Sequence, residues 1–207
     1  MTCIGGTPAV RSRGPGRFQA AAHGLAFRRV LLSALCSLLA WGAMGTGAPA
    51  AEDAKLTRFK AVFVYNFIEY VRWPDAAESD VISLGILGDS PVAESLREIS
   101  EKRKVKGKRL EVKVFPDATT LEPCEVLFVS QDHASELDSL RETLEARNVL
   151  LIGETEGLAA GGVAINFVLV KEKLRFEISQ AALDRAGLVA GAQLMKLAIL
   201  VDKKEAK

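Results

Sequence analysis

Val81-Ile-Ser-Leu-Gly-Ile-Leu-Gly-Asp-Ser-Pro91 runs from an apolar strand candidate through a turn into a helix. Val81–Leu87 is nearly continuous in apolar residues, the pattern of a strand covered on both faces. Gly88 breaks it. Asp89 or Ser90 can cap the helix that follows, with Pro91 early in that helix, which reaches about Arg103.

The alternation continues downstream. The pattern predicts strands over 111–115, 125–129 and 148–152, with a helix over 134–146. Two more strands are predicted over 162–170 and 174–178, turned at Lys171-Glu-Lys173. Helices over about 180–187 and 191–201 close the chain, with Gly187 and Gly191 between them. Strand, helix, strand with apolar strands implies a largely parallel mixed sheet flanked by helices. The fold class is therefore α/β, a single domain with a C-terminal antiparallel hairpin.

Upstream lies the densest aromatic stretch. Residues 59–73 hold six aromatics, Phe59, Phe63, Tyr65, Phe67, Tyr70 and Trp73, whereas the rest of the chain after residue 50 has four. So much aromatic area belongs in a core or on a partner. The spacing predicts a helix over 55–73, stopped by Pro74. Phe59, Phe63, Phe67 and Tyr70 would form its apolar face, with Asn66 among them, and Ala61, Tyr65, Glu69 and Arg72 would lie opposite.

The first fifty residues read as a secretory signal peptide, leaving a domain over 51–207. Arg11, Arg13, Arg17, Arg28 and Arg29 precede an apolar run over 30–41, and Ala48-Pro49-Ala50 is a plausible cleavage site. The run is about a dozen residues, short of the roughly 20 a membrane span needs. The leader carries five of the 27 basic residues and none of the 26 acidic ones. That leaves 22 against 26, a formal charge of −4, which disfavours nucleic acid as a partner. Cys3 and Cys36 leave with it, so Cys124 has no intramolecular partner.

Few residues suggest chemistry. His133 is the one histidine after the leader and reads as a surface or capping residue; clustered metal ligands are missing. No nucleophile–base pair stands out, so no catalytic residue, metal or cofactor is assigned, and an exported hydrolase is the weakest reading. Cys124 reads as a small core residue. Asp89 and Ser90, between a strand and a helix, are candidate ligand-binding residues for an anion or amino acid, although a capping role is the stronger reading and explains them without a ligand. The basic run Lys102–Arg109 is a solvated turn or a docking patch for an acidic partner.

The chain resembles the YfiR family of exported bacterial proteins. The resemblance rests on Phe63-Val-Tyr-Asn-Phe-Ile-Glu-Tyr-Val-Arg-Trp-Pro74, then 84–91, Pro123-Cys-Glu-Val-Leu-Phe128, Val163-Ala-Ile-Asn-Phe167, 174–188 and Leu194-Met-Lys-Leu-Ala198. It implies a non-catalytic periplasmic α/β domain, often a homodimer. It further implies repression of an inner-membrane diguanylate cyclase or sensor kinase through that protein's periplasmic domain, relieved by an outer-membrane lipoprotein antagonist. The output would be cyclic-di-GMP and biofilm formation. Of the family cysteines linked to redox control, Cys124 matches one position, while Gly85, Gly161 and Val168 stand at the others, so disulfide-based redox sensing does not carry over; an intermolecular Cys124 bridge is the alternative, opposed by burial of the thiol. Tyr65, Trp73, Phe167, Glu177 and Leu183 are the candidate partner-binding residues. The alternative is a periplasmic small-ligand sensor using Asp89 and Ser90.

Overall fold

The computed structural model describes residues 48–74 and 79–201. The expected leader lies outside the described residues, apart from helical backbone beginning at Ala48. Helix α1 (Ala48–Tyr70) leads into β1 (Val71–Arg72). Then follow β2 (Val81–Leu87), α2 (Val92–Lys102), β3 (Arg109–Phe115), β4 (Val126–Val129), α3 (Leu137–Glu145), β5 (Leu150–Gly153), β6 (Ile165–Val170) and β7 (Lys173–Ile178). The chain closes with α4 (Gln180–Arg185), β8 (Val189–Ala190), α5 (Ala192–Leu197) and β9 (Ile199–Leu200). Single 3-10 segments occupy Ala118–Thr120 and Gln131–Glu136.

Seven strands form one sheet in the order β3-β2-β4-β5-β6-β7-β9. β3, β2, β4, β5 and β6 run parallel, and β6–β7 is an antiparallel hairpin. The sheet is mixed and mostly parallel, with helices against it, as the alternation implies. β4 and β5 are buried along their whole length, which explains why they read as unbroken apolar runs.

Two short pairings escape the sequence pattern. β1 pairs with β8, Val71 opposite Ala190, and β9 runs parallel to β7. Two-residue strands have no period to detect. The first explains where α1 ends. The helix stops at Tyr70, before Pro74 takes effect, because Val71 and Arg72 are drawn into the β8 pairing and Gly191 donates its N–H to Tyr70 O at 2.9 Å.

The buried face of α1 differs from the aromatic stripe. Ala61, Val64, Phe67, Ile68 and Val71 are fully buried, whereas Phe59, Val62 and Tyr70 are exposed. Ala61 was expected to face away. Its small side chain permits close approach of the helix, so the face with Ala61 and the β-branched residues closes on the sheet. Phe63 and Phe67 reach sideways over the β6–β7 hairpin. The Phe67 ring lies 4.9 Å from Phe176, edge to face, and 5.5 Å from Phe167. Asn66, expected within the apolar face, is half-exposed. Lys60 Nζ and Glu154 Oε2, 2.6 Å apart, tie α1 to the end of β5.

Candidate functional site

Tyr65 sits on the flank of α1 that faces the basic run. Its hydroxyl donates to Lys104 O at 2.8 Å, and the Lys106 N–H donates to Glu69 Oε2 at 2.9 Å. Between them the chain makes a tight turn, with Val105 and Lys108 exchanging backbone hydrogen bonds of 3.0 and 2.9 Å. Lys106 and Gly107 have φ of 53° and 77°. Two successive left-handed residues make a two-residue turn of the mirror-image type, so part of the basic run is a constructed loop.

Trp73 leaves α1 beside this turn. Its indole N–H donates to Asn148 O at 3.0 Å, and Lys106 Nζ lies 4.9 Å from its ring centroid. The same amine donates to Val71 O. Lys106 is exposed overall, but its amine is tucked against the indole, and this burial lowers its pKa. Glu69 opposes the shift, while Lys108 and Arg72 add to it. Trp73, Lys106, Lys108, Glu125, Arg147 and Asn148 line a cleft of about 660 Å³ with Pro74, Val81, Ile82 and Pro123. The cleft lies where β2, β4 and β5 begin, at the amino ends of the parallel strands.

A second feature is apolar and open. Phe59, Val62 and Tyr70 are 49%, 47% and 41% exposed along one side of α1. Phe63, Asn66 and Tyr70 border a shallow groove closed on the far side by Gln193, Leu194 and Leu197 of α5, and Leu197 is 62% exposed. Lone exposed apolar residues are ordinary; here three share one side of a helix, and one of them, Tyr70, faces Leu197 across the groove.

Asp89 and Ser90 lie at the opposite end of the sheet. The connection from β2 goes to β3 on one side, and the chain then returns to β4 on the other, so the strand order reverses direction at β2. Open α/β sheets bind ligands in the crevice outside such a reversal, at the carboxyl ends of the strands. Asp89 is exposed. Ser90 is buried and caps α2, its hydroxyl accepting the Val92 N–H at 3.4 Å and its carbonyl the Ala93 N–H at 3.0 Å. Next to Gly88, just before them, Ser130 Oγ is buried with no hydrogen-bond partner among the described residues. His133 Nδ1 pairs with Glu136 Oε1 at 2.6 Å.

Phe167 and Leu183 lie inside the core, so they reach a partner only through the surface they support. Glu177 is half-buried on β7, its carboxylate held at 3.2 Å by the Asn166 side-chain amide, which also donates to Thr155 O at 3.0 Å. Cys124 is largely buried, and burial pushes its thiol up to about 11. Among the described residues no group of three or more His, Cys, Asp or Glu is placed to hold a metal, and no helix is long and apolar enough to cross a membrane.

A family model described as YfiR/HmsC-like matches residues 57–199, from the second half of α1 to β9. The chain belongs to the YfiR/HmsC-like family. This family is non-catalytic. No curated protein matches the chain. Two solved structures are similar to it. One is the ABC domain in complex with L-Trp from Streptococcus pneumoniae, 12% identical over 58% of this chain and 55% of its own, with a TM-score of 0.46. The other is a conserved domain protein from Vibrio cholerae O1 biovar eltor, 11% identical over 71% of this chain and 60% of its own, with a TM-score of 0.47. The chain thus spans little more than half the length of either.

Of the expected partner residues, Tyr65 and Trp73 meet on either side of the 105–108 turn, Phe167 and Glu177 lie on the paired strands β6 and β7, and Leu183 is in the core beneath. Lys108 belongs to the basic run singled out in the sequence, whereas Arg147 and Asn148 were missed, because the cleft is assembled from segments far apart in sequence. Lys106-Gly107 carried a signal, being a two-residue turn flanked by apolar and basic residues.

Proposed function

We propose that this YfiR/HmsC-like protein is a periplasmic regulator that represses an inner-membrane signalling protein, a diguanylate cyclase or a sensor kinase, by docking on its periplasmic domain. Cyclic-di-GMP level and biofilm formation are the outputs of this reading, and an outer-membrane lipoprotein is the antagonist the resemblance implies. The observation that carries it is the open apolar stripe Phe59-Val62-Tyr70 with Leu197, on a helix whose other face is already buried. Tyr65, Trp73 and Glu177 border the docking region, and Phe167 and Leu183 shape it from beneath. A second copy of the chain is the competing occupant.

The test is crosslinking in intact cells with the tagged full chain, followed by mass spectrometry. Capture of an inner-membrane protein with a cyclase or kinase output domain, lost in Phe59→Ser/Val62→Ser, supports the proposal. Capture of the chain alone, with a crosslinker known to work, sinks it.

A small-ligand sensor is the second reading. It is favoured by the Ser130 hydroxyl, unpartnered among the described residues and next to Gly88 at the strand-order reversal. A metabolite panel scored by thermal shift tests it; a ligand at 100 times its Kd adds about 2.7 kcal/mol. A hit that is insensitive to Asp89→Asn and Ser130→Ala denies this location.

A further inference from the structure

We propose that the cleft between Trp73 and the Val105–Lys108 turn binds a small organic anion, a carboxylate carried on a flat apolar body. Its volume of about 660 Å³ is that of a small-molecule site. One wall is flat and apolar, the Trp73 indole continuing into Val81 and Pro123. Among the described residues the charge is basic: Lys106, Lys108 and Arg147 line the cleft against one acid, Glu125. That acid is engaged, its Oε2 accepting the Ser83 N–H at 2.7 Å. Of the cations, Lys106 has an acceptor among the described residues, Val71 O, whereas Lys108 and Arg147 form no ion pair or side-chain hydrogen bond among them.

Two of the walls, Trp73 and the turn, are tied into the fold by hydrogen bonds. Trp73 is held by Asn148, whose own side chain donates to Ala186 O at 2.8 Å, and the turn is held by Tyr65 and Glu69. A site whose walls are already ordered loses little entropy on binding. Arg147 offers the planar fork that matches a carboxylate, with Lys108 as a second point charge. The Cys124 thiol lines the cleft but stays protonated, so binding is non-covalent. The cleft is at the amino ends of the strands, away from Asp89 and Ser90; it shares only Trp73 with the proposed docking region, and its test reads ligand binding, not partner capture.

The experiment uses the full chain carrying Trp41→Phe, which leaves Trp73 as its one tryptophan. Benzoate is titrated against indole fluorescence, with benzamide, acetate and inorganic phosphate in parallel. The expected result is a saturable change with benzoate and at least tenfold weaker binding of the other three. Lys108→Gln/Arg147→Gln, both at the surface, should weaken benzoate about tenfold or more while leaving the melting temperature unchanged. Equal binding of benzamide shows that charge is not read, and equal binding of phosphate shows that the flat body is not read. Either result overturns the proposal, as does benzoate binding that the double variant leaves intact or no response to benzoate at all.

Discussion

The indole N–H of Trp73 donates to the carbonyl oxygen of Asn148 at 3.0 Å, joining positions 75 residues apart. Asn148 is able to present that carbonyl because its own φ is 58°, a left-handed conformation that asparagine tolerates better than most residues. One hydrogen bond thus ties the exit of α1 to the entrance of β5. Through the Lys106 amine, the same ring also bears on the basic turn.

Replacing Trp73 by phenylalanine keeps an aromatic ring and removes the donor. The Asn148 carbonyl loses its partner, and the cation on the ring face meets a weaker π-system. Urea denaturation of Trp73→Phe should show a loss of about 1–3 kcal/mol. An unchanged midpoint would mean that the hydrogen bond is replaced by water at no cost.

The rotation of α1 about its axis has a direct consequence for stability. Phe67 is fully buried between Phe63, Phe167 and Phe176, so Phe67→Ala should cost about 3–5 kcal/mol. Phe59 is half in solvent, and Phe59→Ala should cost well under about 1 kcal/mol. Equal losses at the two positions would restore the aromatic stripe as the buried face.

These two phenylalanines show what the sequence makes legible. Both sit on one helical stripe, so periodicity assigns them to one face and cannot rank them. What ranks them is Ala61, whose lack of bulk matters only once the sheet is there to be approached. The long parallel strands were legible because burial on both faces leaves an apolar run, as in Val126–Val129 and Leu150–Gly153. β1, β8 and β9 were not, being two residues each and defined by their partners. The Trp73 cleft was hidden for a similar reason. Arg147 is an ordinary surface residue in sequence and Lys108 one of a basic run, and only the parallel register of β3, β2, β4 and β5 sets them around one indole.

Gly88 and Gly107 provide a controlled comparison, since both have left-handed φ, 87° and 77°. A Cβ at Gly107 meets nothing within 4 Å, so Gly107→Ala should cost only the backbone term, about 1–2 kcal/mol. A Cβ at Gly88 would lie 2.2 Å from Ser130 Oγ and 2.3 Å from the His133 ring. Gly88→Ala should therefore be the more destabilising, and Ser130→Gly in that background should recover part of the difference. The measurement is chemical denaturation of the three variants. Similar losses for Gly88→Ala and Gly107→Ala would show that Ser130 and the His133 ring do not crowd Gly88 as described.

Cys124 gives a prediction in pH. Its thiol is raised from an ordinary 9.0 to about 11, first by burial and with a smaller push from the Glu125 carboxylate, against the pull of a Gly85 backbone hydrogen bond, Arg147 and Lys113. Between these values the folded chain holds a proton that the unfolded chain has released. Stability is therefore full below pH 9 and falls as pH rises toward 11, by on the order of 2–3 kcal/mol from this group. Cys124→Ala should remove that part of the alkaline loss. At pH 8 the same shift leaves about a hundredfold less thiolate than in the unfolded chain, so alkylation by iodoacetamide should be slower by about that factor until denaturant is added. Alkylation of the folded chain at the unfolded rate would show the thiol to be open, and would return an intermolecular Cys124 bridge to consideration.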